Sequence, residues 1–414
     1  MKNKASFILT LLLTLNLCAQ DLNYVRYVVD TLSAPGMHGR GYVNEGEKIA
    51  SQFVHDEFMK SGLKSFGEDY FQSFSISINT FPDTMNVWID DRLLRPGFEY
   101  TVLSSSPSVD GTFELVWLPK DSVPDSNAIF PDYSGKVVIS DLSSREIKRL
   151  SGMGAEGYIF IAEEKVRWHV AVARERDVKD YFALQILRSV LPEQSKSIQL
   201  RIRSRYYEDY PARNVIGYIE GKIQPDSFMV FIAHYDHLGR MGRETYFPGA
   251  HDNASGTAMI LDLARHYSKP ENRPDYSVAF MAFGAEEAGL LGSFHYLKNP
   301  LFPLENILFL INFDMVGSGS EGISVANGVN HPEIYEILAG INAEREYLPA
   351  VLKRGEASNS DHYPFHAAGV PCFFIFTLGP ECKEYHNVYD TPDNLPLTEY
   401  EGLFRLMVDF VNTY

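Results

Sequence analysis

A histidine and two aspartates follow one short apolar run and could together bind a metal. The run Phe228 to Ala233 is rich in β-branched and aromatic residues and lacks helical periodicity, so it predicts a buried strand. His234 and Asp236 follow it directly, and Asp252 lies further on, where a polar cluster opens a helical segment. This pattern suits a metal site, but it also suits a core histidine with a helix N-cap.

Other residues that can bind metal lie beyond the carboxyl ends of three more predicted strands. They are Glu286 and Glu287 after Ser277 to Phe283, Asp314 after Ile307 to Phe313, and His386 in the loop beyond Val370 to Thr377. Each has an ordinary explanation by itself, such as a charged helix start or a surface loop. Open α/β sheets bind ligands at the carboxyl ends of their strands. The polar residues that follow all four predicted strands are therefore expected to form one site.

The residue types in this set suit a pair of divalent ions, with zinc as the first choice. Two histidines and three carboxylates are ligands of borderline metals, and a two-metal site needs a bridging group, for which Asp252 is the natural candidate. One of the adjacent Glu286 and Glu287 can bind metal while the other acts as a base. Asp236 is predicted to hold the ring of His234 through its second nitrogen.

The elements that position these residues alternate between strand and helix from Asn214 onward. We therefore predict an α/β fold with a mostly parallel sheet and helices on both faces. Residues 79–206 contain several predicted short strands and one helix predicted over Ser144 to Met153. We predict that they form a small β-rich insertion. The remaining predicted segments are a signal peptide at 1–20, the first part of the α/β domain at 21–78 and its main part at 207–414.

The net charge and the first residues of the chain limit the possible partners and the location of the protein. The net charge of −17 argues against a nucleic-acid surface, which would need a basic face. Lys2 and Lys4, followed by the apolar stretch from Phe7 to Leu17, resemble a signal peptide that is too short for a comfortable membrane span. We expect an exported protein, periplasmic or secreted, with lipid anchoring through Cys18 as the alternative.

Two cysteines remain after the predicted signal peptide, Cys372 and Cys382. Export permits a disulfide between them, and two free thiols are the alternative. His169, within the insertion, is predicted to be a surface residue rather than a ligand.

The motifs taken together resemble the M28 family of zinc aminopeptidases. The resemblance rests on 234–237 (HYDH), 252–256 (DNASG), 286–293 (EEAGLLGS), Asp314, 360–362 (SDH), and His386 with 390–391 (DT). It covers about residues 211–414 strongly and 22–78 more loosely, and the middle segment resembles a degenerate protease-associated insertion.

The resemblance implies a role for each candidate residue. His234 and Asp314 would bind one zinc, Glu287 and His386 the other, and Asp252 would bridge them. Glu286 would be the general base. Some family members place a tyrosine three residues before the Ser-Asp-His run, where this chain has Ala357, so the group that stabilises the oxyanion is left open.

The expected reaction is hydrolysis of the N-terminal bond of a peptide by a water that two zinc ions activate. The alternatives are a carboxypeptidase, for which Arg240, Arg243 and Lys353 would be the candidates to bind a terminal carboxylate, a one-zinc glutaminyl cyclase, and a non-catalytic binding protein. The expected partners are peptide substrates, and neither nucleic acid nor a stable transmembrane span is expected.

Overall fold

The computed structural model of the chain describes residues 21–120, 131–143, 150, 153–170 and 178–414. The predicted signal peptide and most of the helix predicted over Ser144 to Met153 lie outside these residues. In the described part of the chain, no helix combines the length and the apolar character that crossing a membrane requires.

The helices are α1 Leu22–Leu32, α2 Gly46–Lys60, α3 Ser255–Tyr267, α4 Leu291–Lys298, α5 Pro332–Arg345, α6 His362–Ala367 and α7 Tyr400–Thr413. The first strands are β1 Phe71–Thr80, β2 Met85–Ile89, β3 Arg92–Leu93, β4 Tyr100–Val102, β5 Val109–Trp117, β6 Lys136–Ser140, β7 Gly157–Ala162, β8 Phe182–Leu187 and β9 Ser197–Ile202. The later strands are β10 Arg205–Ile219, β11 Gln224–His234, β12 Arg240–Met241, β13 Thr245–Tyr246, β14 Tyr276–Phe283, β15 Ile307–Phe313, β16 Gly322–Ala326, β17 Val351–Lys353 and β18 Cys372–Leu378.

The larger sheet has the order β1-β10-β14-β11-β15-β18-β16-β17. Its four central strands, β14, β11, β15 and β18, are parallel to one another. Antiparallel pairs flank this centre, with β10 against β14 on one side and β16 against β18 on the other. The predicted α/β class is confirmed, and the parallel arrangement applies to the centre of the sheet, which is the part that carries the candidate site.

Helices cover both faces of this sheet because its central strands are apolar on both sides. In β11, Phe231 packs into the core shared with α1, α2, α3 and α7, whereas Val230 packs into a second core with Tyr296 of α4 and Phe365 of α6. Successive side chains of a strand point to opposite faces, so a continuous apolar run is what a strand covered on both sides requires.

The residues between β1 and β10 form a second sheet of the order β3-β2-β9-β5-β6-β7-β8-β4. It has its own apolar core, and that core also includes Phe247 and Val388, which lie in loops of the larger α/β unit beside the candidate site. The second sheet is therefore packed directly against the loops that carry Asp252 and His386. Cys372 and Cys382 are both free thiols.

Candidate metal centre

The register of the central strands aligns the predicted site residues at one edge of the sheet. His234, the last residue of β11, pairs with Phe283, the last residue of β14. Ile232 of β11 pairs with Asn312 of β15, two residues before Asp314. Because the strands are parallel and end together, the loops that follow them start side by side. The five predicted ligands and Glu286 lie in one buried cluster there.

The first group consists of His234, Asp252 and Asp314. Nε2 of His234 lies 3.4 Å from Oδ1 of Asp252 and 3.4 Å from Oδ1 of Asp314. The other oxygen of Asp314 accepts a hydrogen bond from Ser360 at 2.7 Å, which leaves Oδ1 free to face the histidine. One nitrogen and two carboxylate oxygens converge here, as the ligands of a single ion do.

The second group lies on the other side of Asp252. Nε2 of His386 is 3.1 Å from Oδ2 of Asp252 and 3.2 Å from Oε2 of Glu287. Asp252 therefore directs one oxygen to the His234 side and the other to the His386 side. This is the arrangement that a carboxylate bridging two ions requires.

His237 also belongs to the second group, and no role for it was predicted from the sequence. It is fully buried, and its Nδ1 lies 2.8 Å from Oε1 of Glu287 and 3.9 Å from Oδ2 of Asp252. With Asp252 and Glu287 it forms a second candidate metal-binding group. Its position three residues after His234 was a usable signal, because a second imidazole at the same strand end can reach the same cluster.

Asp236 contributes differently from the prediction. The atom near Nδ1 of His234 is the backbone carbonyl oxygen of Asp236, at 3.2 Å, whereas the carboxylate is 3.8 Å away. The carboxylate instead accepts hydrogen bonds from the backbone N–H groups of Glu286 at 3.1 Å and Glu287 at 3.3 Å. Asp236 thus holds the backbone that presents both glutamates.

The loop that carries Asp252 is fixed from two sides. The carboxylate of Asp390 accepts hydrogen bonds from the backbone N–H groups of His251 at 2.8 Å and Asp252 at 3.0 Å. The fully buried guanidinium of Arg40 donates to the backbone carbonyl oxygens of Tyr235, Leu32, Pro248, Gly249 and Asp252. Asp390 thus supports the loop that carries Asp252.

The cluster of buried carboxylates requires positive charge. Burial lowers the pKa of the His386 imidazole, but the charge of Glu287 and the contact with Asp252 outweigh it and raise the pKa to about 11. Several atoms of the cluster make no hydrogen bond within the protein: both ring nitrogens of His237, Oδ2 of Asp252 and Oε1 of Glu287. Ligand-type atoms that converge at contact distance without hydrogen-bonding one another fit a metal centre.

Glu286 lies at the edge of the cluster, in a position that differs from that of Glu287. Its Oε2 is 3.9 Å from Nε2 of His234, and burial together with the charges of Glu287 and Asp314 raises its pKa well above the ordinary value for glutamate. A carboxylate whose pKa is raised by its surroundings is suited to exchange a proton with a bound water.

Asp361 and His362, which follow Ala357 in the chain, make contacts within the protein. Asp361 is fully buried and accepts a hydrogen bond from the hydroxyl of Ser293. His362 places its Nε2 3.0 Å from the carbonyl oxygen of Ala357, and its ring stacks on Phe374. Both side chains are therefore engaged within the protein.

Tyr385 directly precedes His386 in the chain, and no role for it was predicted from the sequence. Its ring stacks on that of His386 with centroids 3.8 Å apart. Burial, followed by the negative charges of Asp252, Glu287, Asp314 and Glu286, raises its pKa far above the ordinary value for tyrosine. The hydroxyl is thus a neutral donor close to the carboxylates.

Comparisons with known proteins show what this part of the chain is similar to. The family model described as Peptidase family M28 matches residues 214–411. The chain is 31% identical over 205 residues to aminopeptidase YwaD of Bacillus subtilis (strain 168), covering 49% of this chain and 43% of the relative. It is 29% identical over 223 residues to the glutamate carboxypeptidase 2 homolog of Caenorhabditis briggsae, covering 46% and 28%. The chain thus spans less than half the length of these curated relatives.

The fold also matches that of a solved structure along nearly its whole length. The structure of BSAP, a zinc aminopeptidase from Bacillus subtilis, superposes with a TM-score of 0.71 and 21% identity, and the match covers 96% of this chain and 95% of that one. At this identity the likeness shows the fold. Taken with the family model, it leads to one conclusion: residues 214–411 of this chain are similar to Peptidase family M28.

Proposed function

We propose that this protein is a zinc exopeptidase that hydrolyses the N-terminal peptide bond of its substrates. The observation that carries the proposal is the position of Asp252, with one oxygen towards His234 and the other towards His386. The similarity of residues 214–411 to Peptidase family M28 and the likeness to aminopeptidase YwaD support the same reaction.

Two zinc ions bound here would supply Lewis-acid activation of a water and polarisation of the scissile carbonyl. His234 and Asp314 would hold one ion and Glu287 and His386 the other, with Asp252 shared between them. His237 would lie beside the second ion, next to Glu287.

Glu286 acts as the general base in this proposal. Its carboxylate faces the His234 side of the cluster and is not needed as a ligand, because Glu287 fills that role. It takes a proton from the attacking water and delivers it to the leaving amine. Burial and the neighbouring carboxylates raise the pKa of Glu286, which favours its holding the proton between these two transfers.

Tyr385 is the proposed donor to the developing oxyanion. Ala357, which stands where some relatives have a tyrosine, offers no hydroxyl. Tyr385 has a neutral phenol near the carboxylate cluster, and 36% of its surface is exposed. A hydroxyl in this position can donate to an oxygen that gains charge in the transition state.

The charges of the candidate basic residues favour an aminopeptidase over a carboxypeptidase. Arg243 is paired with Asp83 and Lys353 with Glu336, and Arg240 contacts His38 and the carbonyl of Arg243. These cations are occupied by other groups, while the cluster itself is acidic. An acidic rim attracts the free α-ammonium of a substrate rather than a terminal carboxylate.

The proposal is tested with a panel of aminoacyl-arylamides and of peptides blocked at either end. The protein is assayed as prepared, after chelation, and after zinc is restored. We expect hydrolysis of substrates with a free amino terminus, loss on chelation and recovery with zinc. Cleavage that needs a free carboxyl terminus instead would identify a carboxypeptidase, and cyclisation of N-terminal glutamine would identify a cyclase. No turnover by the zinc-loaded protein would contradict the proposal.

A further inference from the structure

His169 comes from the inserted sheet yet contacts a proposed metal ligand. Its Nδ1 lies 2.9 Å from Nδ1 of His386, and the two rings are 4.6 Å apart at 61°. The sequence prediction that His169 is a surface residue holds, since its side chain is exposed. Its position against His386 depends on how the insertion folds onto the peptidase unit.

The loop around His169 is anchored through Trp168, the residue before it. The indole N–H of Trp168 donates to the carbonyl oxygen of Val102 at 2.8 Å, and its ring packs against Phe247 with centroids 5.0 Å apart. Trp168 is 4% exposed. The residue next to His169 is thus fixed in the core of the inserted sheet.

The same loop also holds the backbone of His386. The backbone N–H of Trp168 donates to the carbonyl oxygen of His386 at 2.9 Å, and Lys165 forms an ion pair with Glu384. His386 has a φ of 54°, in the left-handed region that side-chain-bearing residues rarely adopt. Such a conformation persists only when surrounding contacts stabilise it, and the insertion supplies some of these contacts.

The two nitrogens of the His386 ring have separate partners. Nε2 faces Asp252 and Glu287, and Nδ1 faces His169. A histidine that ligates metal through one nitrogen carries its proton on the other, and that N–H usually donates to an acceptor that fixes the ring. Asp390, four residues further along the chain, accepts hydrogen bonds from the backbone of the Asp252 loop instead.

We propose that His169 is a positioning residue for the second metal site, with its Nδ1 accepting the Nδ1–H of His386. The insertion then completes the site through one side chain and does more than limit access to it. This inference rests on the proposed metal-binding function. His169 touches neither the ions nor the substrate, so it acts through the orientation of His386.

The variants His169→Ala and His169→Asn separate positioning from packing. Alanine removes the acceptor. The side-chain oxygen of asparagine can occupy the place of Nδ1 and restores it. Lys165→Met is the matched control, because it breaks a contact between the same two loops without touching the His386 ring. Thermal unfolding of each variant shows whether the fold is intact.

The readout is zinc affinity, measured by competition with a chelator, together with the visible spectrum of the cobalt-substituted protein. We expect His169→Ala to bind one of two ions about 10- to 100-fold more weakly, with a changed cobalt spectrum, while the other ion stays tight. His169→Asn and Lys165→Met should resemble wild type. Unchanged affinity in His169→Ala, or an equal loss in Lys165→Met, would overturn the inference. Failure of wild type to bind zinc would instead refute the proposed function.

Discussion

The carboxylate of Asp236 accepts a hydrogen bond from the backbone N–H of Glu286 at 3.1 Å, with its second oxygen 3.3 Å from the N–H of Glu287. A side chain at the end of β11 therefore sets the turn that follows β14. This link orients the proposed base and the proposed ligand together, although neither side chain touches Asp236.

Asp236→Asn should weaken both functions of that turn. The amide keeps one acceptor oxygen but places an NH₂ donor against the second backbone N–H, which leaves that group unsatisfied. We expect zinc affinity to fall about 10- to 100-fold and kcat to fall with it. Asp226→Asn, at the exposed opposite end of the same strand, is the control. If Asp236→Asn has the zinc affinity and the kcat of wild type, the hydrogen bonds between Asp236 and this turn are not needed for either function.

Glu286→Gln should separate metal binding from chemistry. Glutamine keeps the size of the side chain but cannot take a proton, so we expect a loss of about 100- to 10,000-fold in kcat. The zinc content should match wild type, because Glu286 is not a proposed ligand. A variant that retains most of its activity would remove Glu286 from the role of base.

Tyr385→Phe should lower kcat with little change in KM. The phenyl ring keeps the stacking on His386, and only the hydroxyl is lost. Removing one donor to an oxyanion costs about 100-fold or more in kcat. Tyr389→Phe, in the same loop and partly exposed, serves as the control. If kcat in Tyr385→Phe equals that of wild type, the oxyanion is stabilised without this hydroxyl.

The free energy of unfolding should depend on pH through Glu47, which is fully buried. Burial raises its pKa from 4.5 to about 7, although hydrogen bonds from Tyr235 and the backbone of Arg213 oppose the shift. The folded state therefore binds this proton more tightly than the unfolded state. The stabilisation is fully present below about pH 4.5 and is lost as the pH rises through 7.

The difference in unfolding free energy between wild type and Glu47→Gln isolates this effect, since other buried acids contribute equally to both proteins. We expect the difference to shift by roughly 3 kcal/mol against wild type between pH 4.5 and pH 8. Denaturant unfolding at a series of pH values measures it. A constant difference across this range would show that Glu47 keeps an ordinary pKa.

The residues at strand ends could be predicted because their positions follow from local patterns. The apolar run before His234 predicted β11, and parallel strands bring their carboxyl ends together. Zinc binding by these residues stays a prediction. The start of β10 was not predictable, because the strand begins at Arg205 and its polar half pairs with β1 at the sheet edge, where no apolar run is needed.

The residues that the sequence did not reveal depend on contacts between distant segments. His169 meets His386 only because the inserted sheet packs on the loop that contains Val388. The role of Tyr385 depends on the left-handed turn at His386, which no local sequence pattern predicts. Asp236 was predicted to be a supporting group, but its backbone partners, like those of Asp390, required the structure.

The central claim is that side chains from four strand ends jointly hold two ions with Asp252 between them. The most direct measurement is the zinc content per chain of wild type and of Asp252→Asn, after equilibration with zinc and removal of the excess. The account predicts two zinc ions per wild-type chain and loss of at least one in the variant. A wild-type chain that retains one zinc or none, or a variant that retains two, would contradict it.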